Sequence, residues 1–314
     1  MNHDIFLHHY SNSPFAEKIR AILGYKKLAW KSVHQPMVMP KPDMVALTGG
    51  YRRIPILQIG NQIICDTMLI CDVLEHISPE KTLYPTGLKG AARTVAQWAD
   101  GMLFPVAMAY NFQPAGAAHV FKDQPPENLK AFAADRQAMR GGAARMNPHD
   151  AAATYKSYLR RISSMLDGQN FLLGNAPSVA DFAAYHPLWF TRKIVPPVAS
   201  VLDATPAVLA WMDRIHAFEQ GEPSKSNSTE SIAACAVKTP ASSLFGLENT
   251  LQDEHGIALG SQVTIQAESF GLEPSSGYLA AATRTRYTLR RTDERAGEVF
   301  VHFPRIGFIL KKAV

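Results

Sequence analysis

The chain has 314 residues, 46% of them hydrophobic and 19% charged, with a formal net charge of +5. That length supports two to three domains with full cores, and the composition is that of a globular protein rather than a disordered one. The mild positive charge admits an anionic substrate without calling for nucleic acid, and no run of eighteen apolar residues is present to span a membrane.

Met1-Asn2-His3-Asp4 lacks the charged-then-apolar pattern of a secretory signal. Cys65, Cys71 and Cys235 form neither a Cys-x-x-Cys pair nor a metal spacing. A reducing, cytoplasmic setting and no metal are therefore expected, with Cys65 as a core thiol. Ile5-Phe6-Leu7 is short and β-prone, and His8-His9 behind it reads as surface or loop. Next comes Ser13-Pro14-Phe15-Ala16-Glu17-Lys18-Ile19-Arg20, with apolar residues at Phe15, Ile19, Ile22 and Leu23 in helical spacing. Pro14 suits a first helical turn, so Ser13 stands at a helix N-terminus, where an anion such as a thiolate is favoured. Arg53-Ile54-Pro55-Ile56-Leu57 places a proline at a strand entry, which argues for a sheet edge or an unusual peptide bond. Asp66-Thr67 then closes a strand (Ile63, Ile64) and opens a helix from Met68 to His76 that can hold a second charged group.

Leu83 to Lys89 carries a Pro/Gly break that reads as a linker. Residues 89 to 112 form a helical pattern that Pro105 should kink. Phe112 to Pro126 reads as an irregular loop. Glu127 to Met146 reads as a helix breakable at Gly141-Gly142, and Asp150 to Leu166 as another. Phe171-Leu172-Leu173-Gly174-Asn175-Ala176-Pro177-Ser178-Val179-Ala180-Asp181-Phe182 contains a Ser-x-x-Asp capping arrangement ahead of an apolar helix. Pro206 to Phe218 is helical, Glu219 to Ser228 is polar and flexible in composition, and Ser231 to Val237 suggests a short helix. Beyond it, short alternating segments between Gln262 and Leu310 suggest a small all-β barrel or curled sheet. Its basic residues (Arg284, Arg286, Arg290, Arg291, Arg305) are mixed with acidic ones, so a dimer contact or a cover over the helical region is favoured over nucleic-acid binding.

The ordered set of strand, hydroxyl helix start, strand-entry proline and acidic-hydroxyl helix start resembles the thioredoxin-like half of the glutathione transferase superfamily. The string around Ser178 and Asp181 resembles the capping box of that family's helical domain. The resemblance covers about residues 1 to 240. It implies an α/β thioredoxin-like domain followed by an all-α domain, with the small all-β part added: residues 1–86, 87–240 and 241–314. Cysteine-type members resemble Cys-Pro-Phe-Ala, so Ser13 falls on the nucleophile's place. Serine-type members place the activating hydroxyl two residues before the proline, at Asn12. The candidates for thiol activation are therefore Ser13, then Asn12, then Ser11. The resemblance further implies that Ile54, before Pro55, pairs its main chain with the cysteinyl part of glutathione. It also implies that Asp66-Thr67 receives the γ-glutamyl end, with Phe15 and Arg53 in the same binding set. Trp98, Met102 and Tyr110 would wall the co-substrate, beside Phe104, Met108 and Phe112.

The implied activity is attack by the glutathione thiolate on a small apolar electrophile, by a homodimer in detoxification. Glutathione is the co-substrate, and neither metal nor membrane is involved. Glutathione-dependent reduction of disulfides is the alternative, although it wants a cysteine where Ser13 stands. A non-enzymatic binder whose β tail contacts a protein or RNA is the other.

Overall fold

The structure, a computed structural model, describes residues 4–144, 146–247, 251 and 254–313. The chain opens with β1 (Ile5–His9), α1 (Pro14–Lys26), β2 (Ala29–His34), α2 (Pro42–Thr48), β3 (Ile56–Ile59), β4 (Gln62–Cys65) and α3 (Thr67–Ile77). Helices α4 (Lys89–Trp98), α5 (Phe104–Asn111), α6 (Pro114–Val120), α7 (Pro126–Arg140), α8 (Pro148–Met165), α9 (Val179–Trp189) and α10 (Pro206–His216) follow. Then come β5 (Glu222–Ser226), α11 (Ser228–Ala234), α12 (Ser242–Phe245), β6 (Gln262–Ala267), β7 (Ser275–Ala282), β8 (Arg286–Asp293), β9 (Gly297–Pro304) and β10 (Phe308–Lys312).

All ten strands join one sheet, ordered β10-β6-β7-β8-β9-β4-β3-β1-β2-β5. The thioredoxin-like part, β2-β1-β3-β4, pairs β1 parallel to β2 and antiparallel to β3, with β4 antiparallel to β3. Strands β1, β3 and β4 are buried along their whole length, whereas β2 is only partly so, with Trp30 and Val33 inward. Alternation still sorts them. Leu57, Ile59 and Ile64 face a core shared with α1, α3 and the helical domain. Ile56, Ile63 and Cys65 face a second core shared with α2, α11 and the C-terminal strands.

The β-rich tail is present as expected, and it is joined edge to edge to the first domain by parallel pairing of β9 with β4. Its five strands curl. Three strands stand between β9 and β10 in the sheet order, yet only Arg305–Gly307 separates them in the chain. The sheet must therefore bend round on itself, and the rings of Phe303 and Phe308 meet at 5.5 Å.

Three local expectations are corrected. His8 and His9 are buried in β1, not on a surface or loop, because polar partners lie within the fold. His8 Nε2 faces Gln58 Oε1 at 2.9 Å and His9 Nε2 faces Ser32 Oγ at 2.8 Å. Part of the stretch expected to be an irregular loop from Phe112 to Pro126 is helix α6. Pro114 starts it, and buried Gly116 lets it lie against the Asn111 carbonyl, where a side chain would collide. The polar stretch Glu219 to Ser228 is not loose: β5 pairs in parallel with β2 at the sheet edge, with Pro223 tolerated there. Its side chains are mostly exposed, so main-chain bonding sets its course, helped by Ser224 Oγ donating to the Trp30 carbonyl at 3.3 Å.

The helical domain matches its pattern closely. A π-helical turn over Ala99–Leu103 precedes Pro105, which sits in the first turn of α5. Helix α7 ends at Gly141, whose φ is +59°. The Ser178–Asp181 capping box forms. The Asp181 carboxylate accepts from the main-chain N–H groups of Ser178 and Leu172, both at 2.8 Å, and from Trp211 Nε1 at 3.0 Å. One buried carboxylate thereby ties α9, α10 and the turn before them.

Burial also holds several histidines neutral. It lowers His8 to about 4 and His9 to about 3, from an ordinary 6.5. His302 is well below its ordinary value, held between Thr288 Oγ1 at 2.9 Å and Gln62 Oε1 at 2.7 Å. Below pH 6.5 the unfolded chain binds protons at these rings and the folded chain does not. Folding is therefore weakened as pH falls, by about 1.4 kcal/mol per pH unit for each ring. The urea midpoint should drop between pH 7.5 and pH 5, and His302→Gln should reduce that drop. An unchanged pH slope in the variant would show that His302 is not held neutral.

Candidate functional site

The register brings the sequence-predicted segments together. Ile56, the first residue of β3, pairs with His8 on one side and with Cys65 on the other. Because β1 and β4 run opposite to β3, the chain leaves both of them where it enters β3. Ser11–Ser13, Arg53–Pro55 and Asp66–Thr67 thus converge at one end of the sheet.

Ser13 caps α1, its Oγ accepting from Ala16 N–H at 3.2 Å. It is buried, whereas Ser11 and Asn12 are exposed. The loop before it is held from beneath by Arg20, which donates to the carbonyls of Ser11 at 2.8 Å and Tyr10 at 3.4 Å. Arg20 is itself buried, paired with Glu17 at 2.8 Å, and 3.0 Å from His9 Nδ1. Glu17 balances the Arg20 charge, so the positive end of the α1 dipole is what this helix start offers an anion.

The Ile54–Pro55 peptide is cis. Among the described residues, the main chain of Ile54 makes no hydrogen bond. Main-chain groups in folded proteins are nearly always paired, so this stretch can take an extended peptide. Asp66 is the N-cap of α3, accepting from Met68 N–H at 2.9 Å. Its φ of 72° lies where side-chain-bearing residues rarely sit, at a cost of about 1–3 kcal/mol. Burial pushes its carboxyl pKa up, against the pull of Met68 N–H and Arg53.

Thr67 receives a hydrogen bond from Lys18 Nζ at 3.1 Å. Lys18 is buried and forms an ion pair with Asp100 at 2.6 Å, and the other Asp100 oxygen lies 3.0 Å from His186 Nε2. Burial works against the Lys18 charge, but Asp100 outweighs it and the pKa is raised. Asp100 is lowered despite burial, by Lys18 and then His186. His186 is lowered by burial, so its neutral ring donates from Nε2. This network locks the helix behind Ser13 and the helix behind Asp66 to the helical domain.

The residues expected to wall the co-substrate make these contacts. Phe15 packs against Phe104 at 4.5 Å and His186 at 4.6 Å. Met102 is exposed. Trp98 and Tyr110 turn toward α8 instead, Trp98 edge-on to Tyr158 at 5.2 Å and Tyr110 near Tyr155 at 5.4 Å. The Tyr110 hydroxyl donates to the Val198 carbonyl at 3.1 Å. Sequence reasoning missed Lys18, Asp100 and His186. Lys18 alone left a signal, lying three residues from Phe15 and four from Ile22 on the apolar face of α1. Asp100 is 82 residues from Lys18 and 86 from His186, a distance no local pattern spans.

Fold and site together define one architecture: a thioredoxin-like sheet with an anion-friendly helix start, docked on an all-helical domain. The family model of the glutathione S-transferase N-terminal domain matches residues 7–82, and that of the C-terminal domain matches residues 134–214. A crystal structure of a GST-like protein from Pseudomonas syringae is similar at 39% identity and TM-score 0.79, over 99% of this chain and 99% of that one. The chain belongs to the glutathione S-transferase superfamily. A glutathione S-transferase from Sinorhizobium meliloti 1021 shares the fold at 14% identity and TM-score 0.51, over 68% of this chain and 88% of that chain. Glutathione S-transferase III in its apo form does so at 18% identity and TM-score 0.52, over 76% and 99%. No curated protein matches significantly.

Removing one partner of a buried ion pair leaves the other charge uncompensated. Asp100→Asn should therefore lower stability by about 3 kcal/mol in urea titration. The double variant Lys18→Met/Asp100→Asn should recover much of that loss. Additive losses in the double variant would disprove the pairing.

Proposed function

We propose that the protein binds glutathione and activates its thiol for attack on a small apolar electrophile. The observation that carries this reading is the convergence of the capped start of α1, the unpaired main chain of Ile54 and the Asp66 helix start. In this reading residues 1–86 hold the tripeptide, 87–240 supply the electrophile's wall, and 241–314 form the β-rich addition. The tripeptide backbone pairs with Ile54 beside Pro55, and its γ-glutamyl end meets Asp66-Thr67 and Arg53. Its sulfur lies at the start of α1 near Phe15.

A free thiol has a pKa of about 8.5, and the α1 dipole together with a hydrogen-bond donor lowers it. Ser13 Oγ accepts from Ala16, which leaves its O–H to donate to sulfur; Asn12 and Ser11 are the next candidates. The thiol proton passes to solvent, the sulfur pair forms the new carbon–sulfur bond, and the leaving group departs with its bonding pair. Main-chain pairing at Ile54 supplies the orientation. Phe15 and Phe104 offer an apolar contact for the electrophile, with exposed Met102 at the rim.

The three cysteines favour transfer over disulfide exchange. All are buried, and burial pushes Cys71 up to about 12 and Cys235 to about 11. A homodimer, a cytoplasmic setting and a detoxifying role belong to the same reading, supported by family membership.

Calorimetry should register binding of reduced glutathione, and an aryl halide should be turned over. Ser13→Ala should cut turnover by about 10²-fold while changing glutathione affinity little. Unchanged turnover would remove Ser13 from the mechanism; absence of binding heat in folded protein would overturn the site.

A further inference from the structure

The C-terminal strands leave one segment that their own fold does not explain. Between β6 and β7, residues 268–274 run away from the curled sheet and lie along Gly50–Arg53, directly before Ile54. Arg53 Nε donates to the Phe270 carbonyl at 2.6 Å, and Nη2 donates to the Ser269 carbonyl. Ser275 Oγ accepts from Tyr51 N–H at 3.1 Å, and the Glu273 carboxylate lies 2.8 Å from Arg52. The same segment reaches the helical domain, where Gly271 N–H donates to the Met139 carbonyl of α7 at 2.6 Å. Phe270 has a φ of 38°, so the chain adopts a costly conformation to make this approach.

These contacts fix one charged group. Two of the three guanidinium nitrogens of Arg53 are taken by main-chain carbonyls of the segment. The third, Nη1, makes no hydrogen bond among the described residues and stands 3.8 Å from Asp66 Oδ2. The Phe308 ring lies behind the guanidinium, 5.8 Å from its carbon. A cationic donor and a carboxylate thus sit side by side at the mouth of the site. That spacing suits a zwitterion, an α-carboxylate on Arg53 and an α-ammonium on Asp66.

We infer that the Ser269–Gly271 segment is a positioning strap, which aims Arg53 so that the site selects thiols carrying a free γ-glutamyl zwitterion. The inference rests on the proposed glutathione site and adds to it a task for the C-terminal strands. Arg53 is the recognition residue, and the strap acts through it. Arg at this place is not replaceable by Lys, whose donors all sit on one nitrogen and cannot reach the two strap carbonyls and a ligand from separate points of a planar fork. Gly271 is equally constrained: its φ is +71°, and a Cβ there would come within 3.0 Å of Met139 Cε and 3.4 Å of Arg53 Cγ.

The test is calorimetry on the full chain with glutathione and with cysteinylglycine, which has the thiol and the glycyl end but lacks the γ-glutamyl group and its paired α-ammonium and α-carboxylate. The parent should bind glutathione at least tenfold more tightly. Arg53→Lys and Gly271→Val should each weaken glutathione binding tenfold or more and leave cysteinylglycine within twofold, so the preference collapses. Gly271→Val reads the strap and Arg53→Lys reads the guanidinium, so misfolding of one leaves the other decisive. Equal weakening of both thiols, or an undiminished preference, overturns the strap while leaving the site intact. A parent that binds neither thiol overturns the site and the strap together.

Discussion

The pairing of Ile56 with both His8 and Cys65 is the constraint on which the rest of this molecule depends. Because β3 runs against both neighbours, three segments far apart in the chain must begin or end at one end of the sheet. No side-chain contact is needed to bring them there; the direction of the hydrogen-bond ladder does it. A one-residue slip would turn Leu57 and Ile59 out of one core and Ile56 into the wrong one. The apolar content of both faces thus fixes the register, and the register fixes the site.

Buried charge then ties the domains together. Lys18, Thr67, Asp100 and His186 come from α1, α3, the π-helical turn after α4, and α9. Arg20 and Glu17, flanking Lys18 on α1, pair with each other beneath the loop that ends in Ser13. Such groups cost desolvation when buried, and pairing offsets it for each charge here, while His186 Nδ1 has no hydrogen-bond partner among the described residues. Their effect is to hold the two helix starts at the site in a fixed relation to the helical domain.

The β-rich tail is continuous with the first domain through β4 and β9, and its curl returns the segment after β6 to Arg53. The match to the Pseudomonas syringae protein extends over nearly the whole of both chains, tail included. Likenesses to the other transferases named cover 68% and 76% of this chain.

What the sequence by itself determined is whatever rests on local chemistry. Pro14 behind Ser13, Asp66 before an apolar helix and the Ser178–Asp181 box all announce helix starts, because a cap is read within four residues. The alternating tail strands were legible for the same reason, since period two is a local property. Tertiary structure decided the rest. Strand β5 carries no apolar pattern, being held by its main-chain ladder to β2 and by Ser224 Oγ on the Trp30 carbonyl. His8 and His9 read as surface residues until Gln58 and Ser32 supply partners inside the fold. The rings that Trp98 and Tyr110 meet, Tyr158 and Tyr155, come from α8 and leave no local trace in the sequence around either residue. Lys18–Asp100 and Arg53–Phe270 join residues brought close only by the sheet order and its curl, and a linear chain holds no record of distances set by packing.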